Sequence, residues 1–221
     1  QPIEYMRWQQ KLFTRSKEDK QKKYWLEELK DAPSEVDISL DYNGNFSTEN
    51  IKGHRINFKI PDDLYYSLKA FSLKEGVSNY NVLVAAYFAT VHILSGSDDI
   101  CIGTVVAGRK NSQIEQVIGN FANVVVLRTS FEPELTVEML LRQVKIKTLK
   151  ALDNSDIPFE EVVSAIKPIR DKNRNPLYNI FFSLFNGKEN ELVFPGLESK
   201  SIPMDPAVAR LDLSLAMFEV G

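Results

Sequence analysis

The stretch Ile118–Arg128, which reads IGNFANVVVLR, decides the fold. Its second half contains the β-branched run Val124–Val126, which is typical of a buried strand. A second strand-like stretch, Cys101–Arg109 (CIGTVVAGR), precedes it, and the polar segment Lys110–Gln116 separates the two. We therefore predict that these two strands form a core pair around which the rest of the chain is built.

The remaining patterns mix helices and strands without a strict βαβ rhythm. This predicts an α/β fold of the α+β type, in which a mixed sheet carries helices on one face. The central strands are expected at Ile100–Val106, Val124–Thr129 and Tyr178–Phe185, and the helix Ser78–Leu94 is expected to be buried against them. The other predicted elements are strands at Arg55–Ile60, Glu191–Ser199 and Leu211–Val220 and helices at Ile3–Phe13, Lys17–Leu29, Pro61–Gly76, Thr136–Leu152 and Pro158–Ile166.

Composition excludes several classes of protein. The 221 residues are 43% hydrophobic, enough for one good core. The net charge of −3 gives no basic surplus for nucleic acid, and the single cysteine, Cys101, excludes an internal disulfide and a CxxC metal site. The longest apolar run, Val82–Leu94, is shorter than the ~20 residues of a membrane span. We expect no membrane association, no signal peptide and a cytoplasmic protein that is a piece of a longer polypeptide.

Acid–base chemistry has few candidates in this chain. GxSxG, P-loop, GxGxxG and HExxH motifs are absent from the sequence. Neither of the two histidines is followed by Asp in an HxxxD pattern. We interpret His54 as a surface residue and His92 as a satisfied core histidine. No catalytic residue and no metal ligand are therefore predicted.

Five segments, taken together and in order, resemble motifs of the condensation domains of nonribosomal peptide synthetases. GTVVAGR resembles GTPVAGR, and IGNFANVVVLR resembles IGxFxNxxxLR. NSDIPFEEVV resembles QDxPFExLV, RDKNRNPLYNIFFSL resembles RDxSRNPLFQVMFxL, and ARLDLSLAMFE resembles AxFDLTLxxxE. The likeness is weaker near the start, where only Tyr5 and Trp8 of a YxDYAVW motif are kept.

The resemblance implies a function and an extent. Condensation domains join an acyl thioester to an amine, and both substrates enter a tunnel between two chloramphenicol acetyltransferase-like lobes on phosphopantetheine arms. No cofactor is implied to bind directly, and the implied partners are carrier domains, an adenylation domain and a missing N-terminal lobe. Residues 1–33 would be connecting helices, and residues 34–221 a C-terminal lobe truncated at its end. The family's HHxxxDG motif lies upstream, so the fragment alone is expected to be inactive.

The resemblance also suggests which residues face the tunnel. Asn123 is the first choice for a wall residue, although its amide could equally bind local backbone. The glycines could admit a pantetheine chain or simply form turns. The candidates for the tunnel are Gly103, Thr104, Gly108 and Asn123.

A second set of polar residues is assigned to the lobe interface or to structural roles. Arg109 could pair with a carboxylate across the interface or be solvated, and Asp156 is interpreted as a helix-start device. Asp212 lies in an apolar strand, where a buried carboxylate would need a distant partner. The full set is Arg109, Asp156, Arg174, Asn175 and Asp212.

Three other functions remain open at this point. The chain could be a non-catalytic docking module, or part of a heterocyclisation domain in which an acidic motif replaces HHxxxDG. An independent coenzyme A acyltransferase of the same fold would need its own HxxxD motif, which the sequence lacks. Donor and acceptor cannot be identified from these residues.

Overall fold

The computed structural model describes residues 15–38, 53–109, 117–168, 175–186, 196–197, 208–209 and 211–219. Five helices and four strands lie in these ranges. The helices are α1 (Arg15–Glu28), α2 (Asp62–Lys74), α3 (Asn79–Ser95), α4 (Val137–Asp153) and α5 (Phe159–Ile166). The strands are β1 (Asp99–Val106), β2 (Asn123–Ser130), β3 (Ile180–Asn186) and β4 (Leu213–Glu219).

The four strands form one mixed sheet in the order β2-β1-β3-β4. β1 and β2 pair antiparallel along their whole length, from Asp99 opposite Ser130 to Val106 opposite Asn123, which confirms the predicted core pair. β3 is parallel to both β1 and β4. The prediction that β2 is a central strand is wrong, because β2 is an edge of the described sheet. Four of its eight residues, Val125, Val126, Leu127 and Thr129, are nevertheless buried, since helices pack against it.

One face of the sheet is covered by α2, α3 and α4. α3 is the buried helix that the sequence predicts, and Val84, Phe88 and Val91 are fully buried in it. A capping box at Ser78 starts it, and Gly96 ends it in the left-handed conformation at φ 68°. No single helix of the described ranges is long and apolar enough to span a membrane. Only α2 and α3 taken together reach that length, and they are bent by 106°.

Among the described helices, α1 and α5 cover the opposite face, over β1 and β2. Arg128 of β2 fixes α1 there, donating to the carbonyl oxygens of Glu28 at 3.1 Å and Lys30 at 2.7 Å. Its guanidinium also pairs with Asp99 at 2.6 Å. The Cys101 thiol lies beneath this contact. Its burial raises its pKa to about 12, so the thiol is neutral. The expectation of helices on one face only is therefore wrong, because α1 and α5 form a second layer.

On the same face, alternate residues of β4 and the end of β3 are exposed, although Ser183 of β3 is buried. Phe185 and Phe218 are directly opposite each other in the two strands and are 44% and 52% exposed. Their rings stack with centroids 5.0 Å apart. Ser214 and Ala216 are exposed on the same side of β4. We call this surface the outer β3–β4 face.

Two other strand predictions have different outcomes. Residues Arg55–Ile60 form no strand, and Ile56 and Phe58 are 86% and 66% exposed instead of buried. Apolar and polar residues do alternate in this segment, but no strand in the described ranges pairs with its backbone. The predicted helix Ile3–Phe13 lies outside the described residues, as does the predicted strand Glu191–Ser199 except for positions 196 and 197.

Burial of β2 leads to a stability prediction for Val125, which is 3% exposed. We expect Val125→Asp to lower the free energy of unfolding by at least about 3 kcal/mol, because the change buries an unpaired carboxylate. Urea denaturation followed by circular dichroism measures the loss.

Val137→Asp is the matched control. Val137 is the first residue of α4 and is 69% exposed. A carboxylate at a helix N-terminus is favourable, so this variant should be as stable as the parent or slightly more stable. Equal midpoints for the two variants would show that β2 does not belong to the core.

Candidate functional site

Four of the five segments that resemble family motifs meet at one end of the sheet, where β1 ends and β2 begins. Gly108 lies just past β1 with φ +67°, in the left-handed region. A Cβ atom at Gly108 would lie 1.9 Å from the carbonyl oxygen of Phe121, so no other residue fits there without moving the backbone. Gly108 thus serves a turn and a close contact between two chain segments.

Arg109 holds the same two segments together. Its guanidinium donates to the carbonyl oxygens of Val117 at 2.9 Å and Gly119 at 3.1 Å. It also lies over the ring of Phe121, with Cζ 4.4 Å from the ring centroid. These contacts give Arg109 a structural role within the chain, and pairing with a carboxylate of another lobe remains a prediction.

The side-chain amide of Asn123, the first residue of β2, is fully engaged in hydrogen bonds with backbone groups. Its Nδ2 donates to the carbonyl oxygens of Ser155 at 2.9 Å and Ile157 at 2.7 Å. Its Oδ1 accepts from the backbone N–H groups of Phe159 at 3.1 Å and Val124 at 3.0 Å. These bonds correspond to the interpretation in which the amide satisfies backbone groups. They hold residues 153–159, which we call the 153–159 turn.

Two side chains of α1 hold the 153–159 turn from the other side. Gln21, which is 3% exposed, donates to the carbonyl oxygen of Asp153 at 3.1 Å and accepts from the Ile157 N–H at 3.0 Å. The indole of Trp25 donates to the carbonyl oxygen of Asn154 at 2.8 Å. Strand β2 and helix α1 are therefore joined through this turn.

Asp156 is part of the same contact but does not start the helix. Its carboxylate pairs with Lys17 at 2.8 Å and accepts from Gln21 at 3.2 Å. The N-cap of α5 is Pro158, and no side chain caps it in the usual way. Instead, Asn123 of β2 accepts a hydrogen bond from the first N–H group of α5. The interpretation of Asp156 as the residue that starts this helix is therefore wrong.

Gly103 and Thr104 lie within β1 and are packed from both sides. A Cβ atom at Gly103 would lie 2.6 Å from two ring carbons of Tyr178. Thr104 is 3% exposed, and its hydroxyl accepts from the Tyr80 hydroxyl at 3.0 Å. Burial raises the pKa of Tyr80 to about 12, so this phenol is protonated at neutral pH and can donate. The ring of Tyr178 also contacts Phe159, with centroids 5.8 Å apart, which brings a fourth motif to this end.

The remaining predicted positions are not part of this cluster. Asp212 is exposed, because it precedes β4 on the side of the outer β3–β4 face, and so the expectation of a buried carboxylate is wrong. It does have a distant partner, Asn179, whose Nδ2 donates to it at 2.8 Å. Asn175 is half-buried, and its side-chain carbonyl has no hydrogen-bond partner among the described residues. Arg174 lies outside the described residues.

Gln21 and Asn179 are polar residues that sequence reasoning missed. Both are buried, at 3% and 4% exposure, and both bond to backbone more than a hundred positions away. For Gln21 a signal existed, since it lies four residues before Trp25 and eight before the buried Leu29, on one helix stripe. Asn179 had no such signal.

The two histidines are not arranged for catalysis. His54 is exposed, as predicted. His92 is near the end of α3, where its ring stacks on Phe131 with centroids 4.2 Å apart and its Nδ1 is 2.9 Å from the Ser97 carbonyl oxygen. In the described ranges no group of three or more His, Cys, Asp or Glu side chains is placed to hold a metal ion. The cluster can therefore position backbone, and it contains no acid–base pair.

Comparison with known proteins identifies what this arrangement is similar to. A family model described as "Condensation domain" matches residues 2–221. Malpinin synthetase from Mortierella alpina is 33% identical over 98% of this chain, and surfactin synthase subunit 1 from Bacillus subtilis is 32% identical over 98%. The chain spans only 3% and 6% of the length of these two curated relatives.

A solved structure agrees on the fold. The condensation domain from the monacolin K polyketide synthase MokA superposes with a TM-score of 0.74 over 95% of this chain and 51% of that one, at 19% identity. A mixed sheet with packed helices is thus confirmed as a fold of the chloramphenicol acetyltransferase type.

The hydrogen bonds of Asn123 and Gln21 to the 153–159 turn lead to a second stability prediction. Asn123→Ala should lower the free energy of unfolding by about 2–3 kcal/mol, because it leaves buried backbone groups of the turn unsatisfied. Gln21→Ala should cost about 1–2 kcal/mol for the same reason. In the double variant the losses should be non-additive by at least about 0.5 kcal/mol, since both side chains bond one turn. Urea denaturation of the four proteins completes this cycle.

Asn120→Ala serves as the control, because Asn120 is exposed and, among the described residues, bonds within its own loop, at the Ala122 N–H. This variant should stay within about 0.5 kcal/mol of the parent. Additive losses for Asn123 and Gln21 would contradict the shared turn.

Proposed function

Because this chain belongs to the condensation domain family, we propose that it forms part of a domain that joins an acyl thioester donor to an amine acceptor through an amide bond. Both substrates are carried on phosphopantetheine arms of carrier domains, which are proposed partners together with an adjacent adenylation domain. The family match over residues 2–221 is the observation that carries the proposal. The meeting of four matching segments at one end of the sheet supports it.

We propose further that the chain is mainly the C-terminal lobe of that domain and that an N-terminal lobe completes it. The outer β3–β4 face supports this extent. Its stacked aromatic residues, Phe185 and Phe218, are 44% and 52% exposed, and exposed apolar surface on a sheet usually marks a contact with another body. The other half of the same sheet face is already covered by α1 and α5.

The reaction can be followed through its bonds. The acceptor nitrogen, unprotonated, attacks the thioester carbon and forms the C–N bond. The C–S bond then breaks, the phosphopantetheine sulfur leaves as a thiolate, and the proton that the nitrogen loses ends on that sulfur. Holding both arms in one tunnel removes much of the entropic barrier, and fixed donors stabilise charge on the thioester oxygen. The proton is handled by the other lobe, because His54 is exposed and His92 is held in structural contacts.

In this proposal the end of the sheet near Asn123 is the tunnel wall that this lobe supplies. Gly103, Thr104 and Gly108 shape the wall by close packing. Asn123 holds the wall in place through the 153–159 turn, because both its donor and its acceptor atoms are bonded within the chain. Its amide therefore fixes backbone rather than touching substrate.

The extent of the chain leads to an activity prediction. With donor and acceptor carrier proteins loaded, the 221-residue chain alone should give no amide product above the uncatalysed rate. The same chain fused to an N-terminal half that carries HHxxxDG should give product. Mass spectrometry of the released or carrier-bound amide measures both.

Product from the chain alone would contradict this assignment of proton transfer to the other lobe. Absence of product from a folded fusion, with carriers that a complete condensation domain accepts, would contradict the proposed reaction.

The role of Asn123 can be separated from direct catalysis in the fused domain. Asn123→Ala should lose stability while its turnover per folded molecule changes less than about threefold. Removal of a donor that touches the reacting oxygen would instead cost about 100-fold or more in turnover. Turnover and chemical denaturation are measured on the same preparation, and a large turnover loss with stability intact would place the amide in the tunnel.

A further inference from the structure

A groove runs along the edge of β4 that no described strand pairs with, away from the motif cluster. It lies between β4, α2, the start of α3 and the segment of residues 56–60, and its volume is about 390 Å³. Its walls are largely apolar, with Phe58, Leu68, Leu83, Leu184 and Met217 among the lining residues. A concave apolar site of this size is typical of small-molecule binding.

Two carboxylates line this groove: that of Asp62, which pairs with Lys59 at 2.9 Å, and that of Glu219 at the end of β4. The Tyr65 hydroxyl donates to Oε1 of Glu219 at 2.6 Å, and Asn79 Nδ2 donates to the same oxygen at 3.3 Å. Lys69 Nζ is 3.5 Å from Oε1 as well. All three contacts with described residues end on Oε1, while the side chain is 23% exposed, so Oε2 is available to a ligand.

The network around Glu219 keeps it ionised and fixes its direction. The hydrogen bond from Tyr65, and then the contact with Lys69, hold the pKa of Glu219 below its usual range. Asn79 is oriented in turn by the Ser72 hydroxyl, which donates to Asn79 Oδ1 at 2.7 Å and so leaves Nδ2 to face Glu219. The Lys69 side chain is 46% exposed, and solvent therefore screens its charge.

We propose that this groove binds a small molecule that combines an apolar body with a primary ammonium group. The apolar body fills the space between Leu83, Leu184 and Met217, and the ammonium donates to Oε2 of Glu219. A ligand with a carboxylate in this position would be repelled by Glu219. A purely apolar ligand would leave Oε2 without a donor. The site stands on the geometry of the groove alone, independently of the proposed amide-forming reaction.

Three probes of equal length test the choice of head group. Hexylamine, hexanol and hexanoate are titrated separately into the 221-residue chain at neutral pH, and binding is followed by methyl NMR shifts. We expect hexylamine to bind most tightly and hexanoate most weakly. The shifted methyl groups should be those of Leu83, Leu184 and Met217, which line the groove.

Glu219→Gln removes the charge while keeping an oxygen that accepts from Tyr65, so the fold is retained. We expect this variant to bind hexylamine about fivefold more weakly, the effect of losing one partly exposed ion pair, with hexanol unchanged. Glu132→Gln, which removes an exposed carboxylate outside the groove, is the control and should leave all three affinities unchanged.

Several results would overturn the proposal. Equal affinities for the three probes, or hexylamine binding that Glu219→Gln leaves unchanged, would show that Glu219 selects no ammonium group. Shifts confined to methyl groups outside the groove, or no saturable binding of hexylamine, would show that this is not a ligand site.

Discussion

Three hydrogen bonds of one side chain, the amide of Asn123, connect the start of β2 to the 153–159 turn, and a fourth is made with Val124 in β2 itself. A turn between two helices carries backbone groups that neither helix satisfies, and when buried they must find partners. Asn suits this position because its amide both donates twice and accepts. An aspartate would lose the two donors, and a leucine would lose every bond. Gln21 repeats the same solution from α1, so the turn is held by two amides that face it from opposite elements.

The sheet is asymmetric in what covers it. Of the described helices, α2, α3 and α4 pack on one face, whereas α1 and α5 pack on the other face over β1 and β2. Tyr178 packs against Gly103 beside this second layer, and the stacked rings of Phe185 and Phe218 are about half exposed. This exposed pair is the surface from which we propose contact with a second lobe.

What the sequence could predict depended on whether the deciding contacts are local. The caps at Ser78 and Thr136 and the stop at Gly96 were predictable, because each helix end is satisfied by residues within a few positions. The strand at Arg55–Ile60 was not, because a strand needs a partner backbone that alternation does not supply. Asp212 was misplaced for a related reason, since its neighbours are apolar but its side of β4 is exposed.

The candidate site likewise combines features that depend on local sequence with contacts between distant residues. Sequence reasoning selected Asn123 because a polar amide beside a buried strand needs partners, and it left two interpretations of those partners open. The carbonyl groups that decide between them belong to Ser155 and Ile157, 32 and 34 positions further along the chain. No local pattern specifies that distance. The five motifs were sufficient for the family and the fold, whereas the hydrogen bonds of the cluster required coordinates.

The hydrogen bond between Gln21 and Ile157 also has a consequence for synthesis on the ribosome. These two residues are 136 positions apart, so α1 is made long before its binding turn exists. At about 5–20 residues per second, the helix waits roughly 7–27 seconds for that partner to emerge. During this interval Trp25 and Leu29, both 2% exposed in the folded protein, have no native surface to cover them. The segment Arg15–Glu28 is rich in charged residues, and charge favours solubility while these side chains are uncovered.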